Sequence, residues 1–195
     1  MLFELGHVPM PEGYGEEILS LDDCKAHLSL DPEDDEFDLL VAALRDAAIE
    51  FVERHCSRKL GAVTGLTWNA EGLPSRAGDG VRLTILPVTG LTSIVWRDSA
   101  GEEVTGTADD FRVKLDGRVL PKVGKQWPTG VAGDVTITFD AGYSDGEAPP
   151  ALLQAVRLML GHLFMNREAV VAGAASGEVP LGVIALCNPF RMPVI

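Results

Sequence analysis

The stretch DDEFDLLVAALRDAAIEFVERHCSRKLGAVTGLTWNA, residues 34–70, changes its hydrophobic period part-way along. Over Phe37, Leu40, Val41, Leu44, Ala47, Ala48, Phe51 and Val52 the apolar residues recur at three- and four-residue steps. That spacing places them on one face of a helix. Carboxylates crowd its start, from Asp31 to Glu36, where the helix dipole favours anions; Arg54, His55, Arg58 and Lys59 close it, where cations are favoured. The spacing predicts a helix over 34–59, with Gly61 as its stop. From Val63 the residues turn β-prone, and Val63–Trp68 reads as a strand.

Working downstream, further short β-prone runs follow at Val81–Leu86, Thr92–Trp96, Phe111–Leu115, Arg118–Leu120 and Val135–Phe139. Asp98-Ser99-Ala100-Gly101 and Asp116-Gly117 separate them as turns, the second a strong hairpin signal. No helix-length pattern lies between these runs, so the sheet should be mainly antiparallel. Pro149-Pro150 then opens another helix, since the first-turn amides have no helical partners to lose. Leu152, Leu153, Val156, Met159, Leu160, Leu163 and Phe164 form its apolar face; Asn166-Arg167-Glu168 continue it and Gly173 ends it.

Upstream, Ser20 with Asp23 caps a short helix that stops before Asp31-Pro32. Residues 1–19, with Pro9, Pro11, Gly13 and Gly15, read as an extended arm. Residues 177–195 are apolar and proline-punctuated, and both packing onto their own domain and docking onto another chain fit that composition. The expected fold class is α+β. A helical module of two long helices plus a short one (20–61 and 146–173) carries an inserted, mainly antiparallel β subdomain (62–145). The termini, 1–19 and 174–195, are expected to be extended.

The 195 residues carry 29 acidic and 16 basic side chains, a net charge of −13, and 46% are hydrophobic. That is enough apolar residue for a core, yet no run is long enough to span a membrane. No basic stretch followed by an apolar one marks a signal peptide at the start. Phosphate-gripping proteins concentrate Lys and Arg, and here the basic residues are scattered, so the chain should repel DNA. Cys24, Cys56 and Cys187 are odd in number and lack C-x-x-C spacing, which suits buried free thiols.

Candidate chemistry is sparse. Gly142-Tyr143-Ser144-Asp145-Gly146 matches G-x-S-x-G after an expected strand, the setting of a serine nucleophile. However, Pro149 and Pro150 postpone the helix, and the one downstream histidine, His162, lies on that same helix. A tight turn is the better reading of Ser144. The acidic run from Asp31 to Asp38 lacks the central glycine of a calcium loop, and Phe37 interrupts it. His7, His27, His55 and His162 share no metal-binding i, i+4 spacing. No catalytic residue, cofactor or metal site is expected.

The order of the pieces resembles a known family. Ser20-Leu21-Asp22-Asp23-Cys24-Lys25-Ala26-His27-Leu28 with Asp34-Asp35 is similar to the opening of phage head–tail connector (adaptor) proteins, and Phe51 to Arg58 to their next segment. Leu86-Pro87-Val88 with Ile94-Val95-Trp96, then Val119-Leu120-Pro121, Gln126-Trp127-Pro128 and Val135 to Tyr143, resemble their strands. Pro149-Pro150-Ala151-Leu152, Asn166-Arg167-Glu168, Val179 to Val183 and Pro189-Phe190-Arg191 resemble their closing helix and tail. The likeness spans residues 20–191 and leaves out the N-terminal arm.

The resemblance implies a structural subunit in a ring of about twelve copies, between portal and tail, in a phage or a phage-like gene transfer agent. Its partners would be itself, the portal protein and a stopper or tail-terminator protein; DNA would pass through without specific binding. Assembly would take place in the bacterial cytoplasm and residence in the neck of the particle. On that reading Leu181, Val183, Pro189, Phe190 and Arg191 are candidate portal contacts. The candidates for an acidic, DNA-repelling channel wall are Asp34, Asp35, Glu36 and Asp38. The alternatives are another tail-completion protein or a serine hydrolase at Ser144.

Overall fold

The structure is a computed structural model that describes residues 3–6, 10–76, 78–166 and 180–192. The fold class is α+β: helices accompany antiparallel sheets. The chain divides into two compact units, one formed by Met1–Pro11 with Ala62–Gly142, the other by Glu12–Gly61 with Tyr143–Ile195.

The first unit is all β apart from one 3-10 turn, Ala108–Asp110. Its larger sheet has five strands: β1 (Phe3–Leu5), β2 (Val63–Ala70), β4 (Val88–Arg97), β5 (Glu103–Gly106) and β8 (Val135–Ala141). The spatial order is β1-β2-β8-β4-β5, antiparallel throughout, and β8 is central. Val135, Ile137, Phe139 and Ala141 alternate along β8 as buried residues, each 0–1% exposed. Val63, Leu66, Trp68 and Ala70 of β2 and Ile94 of β4 join that core. Each Val, Leu, Ile and Phe among them contributes about 1.5–3 kcal/mol by leaving water.

A second sheet, in the order β3-β7-β6, comprises β3 (Val81–Arg82), β6 (Phe111–Val113) and β7 (Arg118–Pro121). The hairpin between β6 and β7 turns at Asp116-Gly117 as the sequence indicates. Gly117 takes φ 76°, and the Asp116 carboxylate accepts the Arg118 amide at 3.2 Å. Asp98 organises the β4–β5 turn in the same way, accepting the amides of Ala100 and Glu102. Two strands escaped the sequence reading. β1 is three residues long, and β5 (Glu-Val-Thr-Gly) is an exposed edge strand without an apolar run.

The second unit holds α1 (Tyr14–Ile18), α2 (Leu21–Leu28), α3 (Asp38–Cys56), α4 (Pro150–Met165) and α5 (Leu181–Cys187). Val41, Ala48, Ile49 and Val52 of α3 and Leu152, Ala155, Val156 and Leu160 of α4 form its core. Phe37 and Phe164 meet edge-on at 6.3 Å.

Several expectations need correction here. Residues 1–19 are not an extended arm: β1 pairs with β2, and α1 packs in the helical unit through Tyr14, 6% exposed. α3 begins at Asp38, not 34, because Asp31 and Asp34 fold the preceding backbone into turns by accepting the amides of Glu33 and Glu36. It ends at Cys56, not near Gly61, with Ser57 at φ 54° in the left-handed conformation. The amides of Ser57 and Arg58 then bond the carbonyls of Arg54 and Glu53. α2 ends likewise on Ser29 at φ 58°. The tail is not extended through 181–190 either. Pro180 precedes the seven residues of α5, a 3-10 turn containing Pro189 spans Asn188–Phe190, and the Val183 amide bonds the Pro180 carbonyl at 2.9 Å. Gly173, the expected stop of the α4 helix, and Arg167-Glu168 lie outside the described residues.

Candidate functional site

Two features of the helical unit bear on function: the acidic segment before α3 and the C-terminal segment from Pro180. The first starts from Lys25, which α2 presents to the interior at 4% exposure. Its ammonium group meets the Asp38 carboxylate at 2.5 Å and donates to the carbonyls of Pro32 (3.2 Å) and Asp34 (2.9 Å). One cation thereby shapes the whole 32–38 turn. The Asp38 carboxylate beside it holds the Lys25 ammonium group above its usual range. Asp38 is therefore ion-paired, whereas Asp34, Asp35 and Glu36 are exposed.

Other cations of this unit are also drawn inward. Arg45, 6% exposed, pairs with Glu16 of α1, bonds Asp46 at 2.9 Å and donates to the Leu19 carbonyl. Lys59 pairs with Glu53 at 2.6 Å, and Glu53, 5% exposed, also accepts the Tyr14 hydroxyl (2.5 Å) and the Leu60 amide (2.7 Å). Burial, then the adjoining Glu53 charge, pushes the Tyr14 hydroxyl well above the usual tyrosine range. The helical unit carries 18 acidic and 8 basic residues. Lys25, Arg45 and Lys59 each pair with one of those acids, so the negative surplus stays with the remaining, more exposed charges of the unit.

The C-terminal segment is held by the end of α3. The Arg58 Nε donates to the Phe190 carbonyl at 2.8 Å, its guanidinium group lies 5.9 Å from the Phe190 ring centre, and its Nη1 donates to the Tyr143 hydroxyl at 3.1 Å. Beneath, the Cys56 thiol lies 3.7 Å from the Cys187 carbonyl oxygen. Among the five contact candidates, Leu181 is 84% exposed, and Pro189 and Arg191 are exposed as well. Phe190 is half-buried. Val183 is fully buried and anchors α5 to the unit, so it offers no surface. The i, i+4 pair Val183 and Cys187 was the available sign of a helix here; the prolines around it obscured that sign. Arg58, expected only as a helix-end charge, is the residue that sequence reasoning missed.

Ser144 is exposed in a turn whose carbonyl accepts the Glu147 amide, and α4 begins only at Pro150. His162 sits about 18 Å along α4 from its start, with its nearest polar partner Asn166. The structure thus brings no base to Ser144 among the described residues. Nor do three or more His, Cys, Asp or Glu side chains cluster there to hold a metal ion. No described helix is long and apolar enough to cross a membrane. All three cysteines are free and buried, and burial pushes the Cys24 thiol up to about 11.

No protein-family model and no curated protein sequence matches the chain. Solved structures do. A chain from the neck of an empty gene transfer agent particle, computed with C6 symmetry, aligns with a TM-score of 0.74 at 26% identity. The alignment covers 98% of this chain and 97% of that one. The likeness is to a particle neck. A chain from the neck of the native particle, computed with C12 symmetry, gives 0.71 at 27% identity, over 98% and 97% of the two chains. A chain from the native virion gives 0.72 at 24% identity, over 98% and 96%, a likeness of fold.

Proposed function

We propose that this chain is a structural subunit of the head–tail neck of a tailed phage or gene transfer agent particle, an adaptor between portal and tail. The observation that carries this reading is the end-to-end structural likeness to a neck chain, 98% of one and 97% of the other at a TM-score of 0.74. Both units take part in it, so the shared architecture is the entire subunit and not a common helical motif.

The neck structures it resembles were computed with C6 and C12 symmetry. Closed rings of that kind require two different, complementary faces on each subunit. We read this chain as one of about twelve copies in such a ring, with the portal protein on one side and a stopper or tail-terminator on the other. Leu181, Pro189, Phe190 and Arg191 make the portal contact, with Val183 as the buried anchor beneath them. The exposed Asp34, Asp35 and Glu36 face the passage and keep DNA from adhering by charge repulsion. Asp38 contributes less there, because Lys25 pairs with it. The chain acts by position and performs no reaction; it needs no cofactor.

Particles assembled without this chain should contain filled heads that lack tails, and an averaged image of complete particles should show the chain as a ring at the neck. Complete tailed particles without it, or density for it elsewhere, would overturn the reading. Leu181→Asp together with Arg191→Glu, both at exposed positions, should leave a folded subunit that no longer binds portal-containing heads; unimpaired attachment would refute the portal contact.

A further inference from the structure

Two thiols meet inside the helical unit. Cys56, the last residue of α3, is 1% exposed, and Cys187, the last of α5, is fully buried. The Cys56 sulfur lies 3.7 Å from the Cys187 carbonyl oxygen, which puts the two cysteines in direct contact. Both are free, and 131 residues separate them along the chain. With one sulfur already against the other cysteine, side-chain rotation and local adjustment of α5 bring the pair to disulfide geometry. Cys24 lies among different neighbours, Arg45, Glu16, Asp23 and Arg157, and serves as an internal control.

We propose that Cys56 and Cys187 form a reversible disulfide latch that locks the C-terminal segment, and with it Pro189, Phe190 and Arg191, onto the end of α3. The oxidant is a low-molecular-weight disulfide, RSSR, such as oxidised glutathione. The Cys187 thiolate attacks one sulfur of RSSR, which breaks its S–S bond and releases the first RSH, leaving Cys187 in a mixed disulfide. The Cys56 thiol gives its proton to solvent, attacks the Cys187 sulfur and expels the second RSH. Two protein thiols are oxidised by two electrons, and RSSR is reduced to two RSH. Burial keeps the oxidant out until α5 lifts. A helix of seven residues has few internal hydrogen bonds and opens more readily than the core.

A reducing cytoplasm keeps such a pair open during assembly, and conditions outside the cell close it. That timing rests on the neck reading; the latch itself does not.

The test uses the purified full-length chain equilibrated with oxidised glutathione, quenched by alkylation and mapped by non-reducing peptide mass analysis. One intramolecular Cys56–Cys187 link is expected, with Cys24 outside it. The thermal midpoint should rise on oxidation and fall back with dithiothreitol. Cys24→Ser should keep the link and the rise, and Cys187→Ser should lose both. A link through Cys24, a stable mixed disulfide at Cys56 or Cys187 without closure, or no loss of the two thiols would overturn the proposal. Should Cys187→Ser fail to fold, the map of the unaltered chain still decides. A missing latch leaves the neck reading standing, and a chain located away from the neck leaves the latch standing.

Discussion

Glu53 shows how much of the helical unit hangs on single side chains. Its carboxylate accepts from the Tyr14 hydroxyl, the Leu60 amide and Lys59 while only 5% exposed. Glu53→Gln keeps the shape but removes the charge, and should destabilise the chain by about 1–3 kcal/mol, measured by urea unfolding. Tyr14→Phe should cost about 1 kcal/mol. The Tyr14 hydroxyl ionises above its unfolded value of 10.0 when folded. Its contribution is therefore complete below pH 10 and is lost as pH rises beyond, by about 1.4 kcal/mol per pH unit. Lys25, also held above its usual range by Asp38, adds to the alkaline loss in the same sense. Alkaline unfolding should be less steep in Tyr14→Phe; an unchanged profile would show that another group governs it. These buried ions were not legible in the sequence. Lys25, Arg45 and Glu53 look like the polar side of amphipathic helices, and partners such as Glu16 for Arg45 and Tyr14 for Glu53 lie 29 and 39 residues away.

At the scale of elements, what could be read locally was read. The apolar face of α3, the proline start of α4 and the Asp116-Gly117 hairpin each have a signal within a few residues. α1 had none. It is five residues long, and its Gly15 sits where a Cβ would fall 2.0 Å from the Asp46 carboxylate, so it forms only because the packed unit requires it. The end of α3 was misread because Ser57 stands where glycine would be expected. Ser29→Gly removes the steric cost of the left-handed conformation at an exposed site and should stabilise by about 0.5–1 kcal/mol, seen as a higher melting temperature. In β8, Phe139→Ala should cost about 3–5 kcal/mol, because that ring is fully buried in the central strand.

For the molecule as a whole, the charge count already excluded a phosphate-gripping surface, and the structure adds where the surplus lies. Lys25, Arg45 and Lys59 are occupied internally, so the negative charge of the helical unit remains on its surface. Replacing Asp34, Asp35 and Glu36 by Asn, Asn and Gln should still give particles, but their DNA should leave more slowly. Added salt should narrow the difference, because screening weakens repulsion between exposed charges; equal release at low salt would remove these residues from the passage. The pairing of Val63 with Ala141 carries a different consequence. Residues 62–142 enter and leave the β unit on two neighbouring strands, about 5 Å apart. β1 reaches the same sheet separately, from before α1, and pairs with β2. Exchanging the sheet for that of a relative therefore takes two grafts, residues 62–142 and the β1 strand that closes their edge.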